Sequence, residues 1–170
     1  MIRNSIYSLI KKRKSIRSFL DKPVERNKIT KILDAGHWAP SGLNNQPWRF
    51  VVIKDKPIKD KISEFSKYSY IIKGADCLIL VFLDKLNSYN LIKDAQAIGA
   101  CIQNMLLFAL ELGVSSCWLG EIINKKDDIN KFIKIDSRYD LMAAVAFGYS
   151  KPKTQSKRFP LDKLVLKEIL

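Results

Sequence analysis

The stretch KDAQAIGACIQNMLLFALEL, residues 93–112, decides the architecture. It contains no proline and a single internal glycine, Gly99, and it is rich in Ala and Leu, so a long unbroken helix from Lys93 to Leu112 is expected. Gly113 follows at once and is suited to closing the helix, because glycine enters the left-handed turn after a helix end without penalty. Apolar side chains fall on more than one face of this helix, which predicts burial on two sides.

Working outward, Asp76 to Leu83 reads as a buried strand, being rich in β-branched and large apolar residues, and Trp48 to Lys54 as another strand. Ile58 to Lys67 reads as a helix between them. On the other side of residues 93–112, Ser115 to Leu119 is a short strand leading into a turn at Gly120. Asp127 to Ile133 is a short helix, and Leu141 to Tyr149 is a central strand of small and β-branched residues. Near the N-terminus, Ile6, Leu9 and Ile10 have helical spacing. Ile29, Ile32 and Leu33 repeat it in a second helix that must stop before Pro40. No repeat, low-complexity linker or composition break divides the chain, so residues 1–170 are read as one domain.

The composition agrees. With 170 residues and 47% hydrophobic side chains the chain can fill one sizeable core, which excludes disordered, collagen-like and disulfide-stapled classes. Cys77, Cys101 and Cys117 are odd in number, widely spaced and set in apolar surroundings, as expected of reduced thiols in a cytoplasmic protein. The longest apolar run, Cys77 to Leu83, is far shorter than the roughly 20 residues of a membrane span. The N-terminus lacks the apolar stretch of a signal peptide, so neither secretion nor membrane insertion is expected.

The formal net charge is +13, and it is concentrated at the ends. Residues 1–17 carry Arg3, Lys11, Lys12, Arg13, Lys14 and Arg17 with no acid. Residues 151–170 carry six basic groups against Asp162 and Glu168. Such asymmetry points to an anionic partner: a small-molecule phosphate, a nucleic acid or an acidic surface.

Several chemistries lack their residues. Neither Gly-x-Gly-x-x-Gly after a strand nor Gly-x4-Gly-Lys-Ser/Thr occurs, so the dinucleotide-fold and phosphate-loop fingerprints are missing. His37 is the single histidine, which removes most histidine metal sites and Ser-His-Asp hydrolysis, and its place near a helix end suits a structural role. No nucleophile–base pair stands out and no catalytic side chain or metal ligand is assigned. If the chain is an enzyme, an organic cofactor carries the chemistry.

Two segments do carry a signal. Arg13-Lys14-Ser15-Ile16-Arg17-Ser18-Phe19 sets cations and hydroxyls close together just after a helix, enough to surround a phosphate. Ala39-Pro40-Ser41-Gly42-Leu43-Asn44-Asn45-Gln46-Pro47-Trp48 places turn formers and short amides between a helix and a strand, offering hydrogen bonds to a flat polar ligand. Together with Gly113-Val114-Ser115-Ser116-Cys117-Trp118-Leu119-Gly120 and Lys157-Arg158-Phe159-Pro160-Leu161, these segments resemble the FMN-dependent nitroreductase family over nearly the whole chain. The long segment, with Gln96-Ala97-Ile98-Gly99-Ala100 and Gln103-Asn104-Met105-Leu106-Leu107, is similar to that family's central interface helix.

The resemblance implies an α+β fold: a central, mostly antiparallel sheet flanked by helices, in an intertwined homodimer with FMN sites at the subunit interface. It implies that Arg13, Lys14, Ser15 and Arg17 bind the FMN phosphate and ribityl chain, and that Lys157 and Arg158 close the phosphate site. Pro40, Ser41, Gly42 and Asn44 would approach the isoalloxazine ring from the partner subunit, while the backbone of Leu119, Gly120 and Glu121 would lie near its reactive edge. The implied reaction is ping-pong hydride transfer from NADH or NADPH, through FMN, to a nitroaromatic, quinone or similar small acceptor.

Two departures accompany this. Tyr68 and Ile71 stand about where larger members carry a flavin-contacting amide and lysine, and the insert that lids the substrate pocket in larger members is missing. Three other readings remain open: a flavoenzyme of the same fold with dehalogenase or dehydrogenase chemistry, a basic nucleic-acid-binding module using aromatics such as Tyr68, Tyr70 and Trp48, and an FMN-binding protein without turnover.

Overall fold

The computed structural model describes residues 5–151 and 156–169; Arg3 and Lys153, counted among the basic end groups, lie outside them. In chain order the elements are α1 (Ile6–Lys12), α2 (Arg26–His37), β1 (Trp48–Ile53), α3 (Lys56–Ser63), α4 (Ser69–Gly74), β2 (Cys77–Asp84), α5 (Leu91–Glu111), β3 (Ser115–Leu119), α6 (Lys126–Ile133) and β4 (Tyr139–Gly148). Single 3-10 segments occupy Gly42–Asn44, Gly120–Lys125 and Leu161–Lys163.

The four strands form one antiparallel sheet in the order β1-β2-β4-β3. All eight residues of β2 are buried, because helices cover both faces of the sheet. Cys77, Ile79, Val81 and Leu83 pack with Ala143, Val145 and Phe147 toward α2 and α5. Leu78, Leu80 and Phe82 pack with Ala144 and Ala146 toward α3, α4 and α6, against Ile62, Ile71, Ile72 and Ile129. The alternation is the two-residue period of a strand, applied here to a strand apolar on both faces.

α5 begins two residues earlier than its composition suggests. Asn90 caps it, its side chain accepting the Lys93 amide at 3.1 Å. It ends as expected at Gly113, whose φ of +71° lets the Gly113 and Val114 amides return to the Leu110 and Ala109 carbonyls at 3.0 and 2.8 Å. Ala97, Cys101, Met105 and Ala109 are buried, whereas Gly99, Gln103 and Leu107 are only half-buried. Burial on two sides is therefore not achieved within one chain.

The helix expected over Ile58 to Lys67 is shorter than that, and a separate helix, α4, follows beyond the expected span. α3 starts earlier, where Asp55 accepts the Ile58 amide at 2.9 Å and Pro57 fits the first turn, and it stops at Ser63. Amides of Glu64, Phe65 and Ser66 then turn back to Lys61, Ile62 and Ser63. The Ser66 hydroxyl accepts the Tyr68 amide, and α4 follows. Buried Lys59 ties α3 to the end of α4 by donating to the Ala75 and Asp76 carbonyls. Burial pulls its ammonium below the ordinary lysine pKa, and nearby Asp76 opposes that shift.

Candidate functional site

The segment after α1 runs along the edge of the sheet. Ser15 bridges to Ser116 at the start of β3, the Ile16 amide donates to the Ser116 carbonyl at 2.9 Å, and Leu20 donates to Tyr149 beyond β4 at 2.7 Å. Ile16 is buried, and this fixes the direction of its polar neighbours. Arg13 and Ser15 face a cleft of about 620 Å³, a size ordinary for a cofactor site, lined also by Ile10, Lys11, Gln103, Leu106, Trp118, Ser156 and Arg158. Cations from opposite ends of the sequence thus share one concavity.

Lys14, Arg17 and Lys157 do not line it. Lys14 lines a smaller adjoining cavity of about 230 Å³ with Lys12, Arg13, Ser115 and Ser116. Arg17 is exposed and makes a loose contact with the Ser15 carbonyl at 3.5 Å. Lys157 offers its carbonyl to Arg158 Nη1 at 2.8 Å, and its side chain is not part of the cleft wall. Burial pushes the Cys117 thiol up, while Arg17 and Arg13 pull the other way, so both arginines act electrostatically on β3.

The loop from Pro40 to Gln46 lies elsewhere. Its Ser41 hydroxyl accepts the Gln46 amide at 3.0 Å, and a Cβ on Gly42 would sit 1.8 Å from the Tyr89 hydroxyl, so the tyrosine lies directly over the loop. Asn44 and Leu43 are exposed. Asn45 donates to Asp94 in the first turn of α5, whereas Leu106 lines the basic cleft. These two helix positions are separated by a rise of about 18 Å at 1.5 Å per residue. Pro40, Ser41, Gly42 and Asn44 are absent from the walls of the cleft that holds Arg13 and Arg158.

Leu119, at the end of β3, is buried in the second core, so it presents backbone rather than side chain, and Gly120 after it is exposed. Glu121 accepts the Ser66 hydroxyl at 2.9 Å. Of the two departures, Ile71 is fully buried in the core and Tyr68 is exposed at the start of α4. His37 is exposed at the end of α2, its ring edge-on to Trp38. Among the described residues no cluster could hold a metal ion, and no helix is long and apolar enough to cross a membrane.

Gln103 and Trp118 line the cleft although neither was assigned a role within the segments that carry the resemblance; one is a polar position on a long apolar helix, the other an aromatic on a short strand. Gly99 leaves space over which the Trp118 ring lies, at 3.8 Å from a built Cβ. A larger groove of about 760 Å³, lined by Leu91, Ile92, Gln96, Ile123 and Met142 among others, is mainly apolar. Its Lys126 is already paired with Asp140 at 2.6 Å.

Known proteins share this fold. A crystal structure of a Desulfovibrio desulfuricans protein, provisionally named a nitroreductase and solved in complex with FMN, superposes with a TM-score of 0.95 at 44% identity over 99% of both chains. An Archaeoglobus fulgidus protein, provisionally named an NADH dehydrogenase/NAD(P)H nitroreductase, is 33% identical over 84% of both chains. An iodotyrosine deiodinase of Thermotoga neapolitana is 26% identical over 95% of this chain and 96% of its own. The profile of the Nitroreductase family matches residues 10–69 and 65–149, and with these relatives it establishes that the chain belongs to the Nitroreductase family.

Proposed function

We propose that this chain is an NAD(P)H-dependent FMN oxidoreductase that reduces nitroaromatics, quinones or similar small acceptors by a ping-pong mechanism. The observation that carries the reading is the convergence of Arg13 and Ser15, from one end of the chain, with Arg158, from the other, in one cleft. That donor set fits a phosphate monoester, which carries about −1.5 to −2 charge at pH 7 and accepts charge-assisted hydrogen bonds. The match to a protein crystallised with FMN supports FMN as the phosphate's owner.

In this reading Arg13, Ser15 and Arg158 hold the phosphate, and Lys14, Arg17 and Lys157 add to the positive field around it. The Leu119–Gly120 backbone and the loop bearing Pro40, Ser41, Gly42 and Asn44 contact the ring. Bound FMN would supply hydride-transfer chemistry between a reduced nicotinamide and an acceptor that takes its turn at the same site. The chain's own work is to hold and orient; no side chain is assigned as acid or base.

The site is shared between two copies. Loop 40–46 and the basic cleft sit at different levels of α5, which favours a ring held by the loop of one subunit and a phosphate held by the cleft of the other. The half-buried face of α5 and the exposed Leu161, Leu164 and Leu166 supply apolar surface for a two-fold partner. On their own chain these tail residues stay exposed, as expected for a segment that docks on another. The setting we assign is cytoplasmic, in keeping with three free buried cysteines.

Anaerobic mixing of the FMN-loaded protein with NADH or NADPH tests the reading. Bleaching of the flavin band, followed by reoxidation with a quinone or nitroaromatic at a rate independent of residual nicotinamide, supports it; a band that neither nucleotide bleaches refutes it. A second reading, reductive dehalogenation, is favoured by the match to the Thermotoga deiodinase. Iodide release from iodotyrosine by the reduced protein, exceeding quinone turnover, would select it. Nucleic-acid binding is disfavoured, because the cleft already accounts for the clustered arginines.

A further inference from the structure

Leu43, Asn44 and Gln46 have φ values of 54°, 54° and 45°, a left-handed conformation that non-glycine residues avoid. Three such residues in one short loop require something outside the loop to hold them. Asn45, between them, supplies it. Its Nδ2 donates to the Asp94 carboxylate at 2.7 Å and to the Asn87 carbonyl at 2.8 Å.

Asp94 has no exposed surface. Its other oxygen accepts the Ser88 hydroxyl at 2.7 Å and the Tyr89 and Asn90 amides at 3.1 and 3.2 Å. One carboxylate oxygen therefore organises residues 88–90 and the other is given to Asn45. Both hydrogens of the Asn45 amide are engaged, and reversing the amide would press its oxygen against a carboxylate, so the side chain has a single orientation. The Asp94 carboxylate is thus joined at once to the rigid long helix, to the 88–90 segment and to the strained loop.

We propose that Asn45, anchored by Asp94, is a positioning residue that fixes Ser41, Gly42 and Asn44 in the geometry needed to contact the flavin ring. This rests on the reading above, in which the loop meets the isoalloxazine. It separates ring binding, controlled at the start of α5, from phosphate binding, controlled by the basic cleft.

The test compares FMN with riboflavin, which has the ring and no phosphate, by titration of the full-length apoprotein. Asn45→Ala and Asp94→Asn should each weaken both ligands by the same factor, about tenfold, and shift the bound-flavin absorption band, with the unfolding midpoint of apo Asn45→Ala close to wild type. Asp94→Asn keeps an acceptor for residues 88–90 while turning a donor toward Asn45. Unchanged riboflavin affinity in both variants overturns the proposal. So does a loss confined to Asp94→Asn and accompanied by a lower unfolding midpoint, since Asp94 would then only support the fold. A wild-type protein that binds neither flavin overturns the underlying reading and this proposal with it.

Discussion

Arg138 grips Asp84 with two prongs, Nε to Oδ1 and Nη2 to Oδ2 both at 2.6 Å, and Asp84 has no exposed surface. Arg49 meets the same carboxylate at 2.9 Å and donates to the Gln46 carbonyl at 3.0 Å. Asp84 therefore anchors the end of the loop that Asn45 and Asp94 anchor at its middle. Two buried acids hold one polar loop from two sides.

Acid should loosen this clamp. The Arg138 hydrogen bond, against the opposing effect of burial, holds the Asp84 carboxyl below its ordinary value of 3.8. Burial alone would raise Asp94, but hydrogen bonds from Asn45, Ser88, Asn90 and Tyr89 outweigh it and lower that carboxyl too. A depressed folded-state pKa stabilises the fold above the unfolded value and loses that contribution as pH falls from it through the folded value. The stabilisation from these groups should therefore be fully present and nearly independent of pH around neutrality, and the unfolding midpoint should fall as pH drops below about 4. Asp84→Asn should lower the midpoint by several degrees at pH 7 and flatten this acid limb, checked by thermal unfolding from pH 7 to pH 3.

Arg13→Ala and Arg158→Ala should each reduce FMN affinity about ten- to a hundredfold, the loss of one charge-assisted hydrogen bond. Riboflavin affinity should change little, because neither arginine faces the ring in this account. Equilibrium titration of apoprotein with both ligands measures the difference. Unchanged FMN affinity in both variants would remove the phosphate assignment.

Trp118 lines the basic cleft, whereas Trp48 is buried in β1 and Trp38 follows α2. Adding FMN to the apoprotein should quench tryptophan emission, and Trp118→Phe should abolish at least half of that quenching. Emission titrations of the two proteins decide it.

Sedimentation of the FMN-loaded protein should give a dimer with one FMN per chain. A loaded monomer would contradict the shared site. Replacing the exposed Leu164 and Leu166 with Asp should shift the protein toward monomer and release flavin together with the partner.

Much of this fold was legible because its signals are local. Residues 93–112 declared their helix by composition and its end by Gly113, and β2 and β4 declared themselves as interior strands by the unbroken apolar runs Cys77–Leu83 and Leu141–Phe147. The break between α3 and α4 was hidden, because Ser66 ends one turn and starts the next through hydrogen bonds that helix-compatible residues on either side do not announce. Arg13 and Arg158 were found through the family pattern, and their convergence needed the folded chain. Nothing local marked Asp84 and Asp94 as buried anchors, since their partners Arg138 and Asn45 are 54 and 49 residues away. Gln103 and Trp118 escaped for the same reason, as α5 and β3 meet only in the packed molecule.

The most direct measurement is the visible spectrum of the purified protein after incubation with FMN and gel filtration. The account predicts that flavin absorbance elutes with a dimer at close to one equivalent per chain, and that Arg13→Ala with Arg158→Ala elutes colourless but folded. Colourless wild-type protein, folded and at the same concentration, would contradict the cofactor assignment and leave the convergence of Arg13, Ser15 and Arg158 without its proposed ligand.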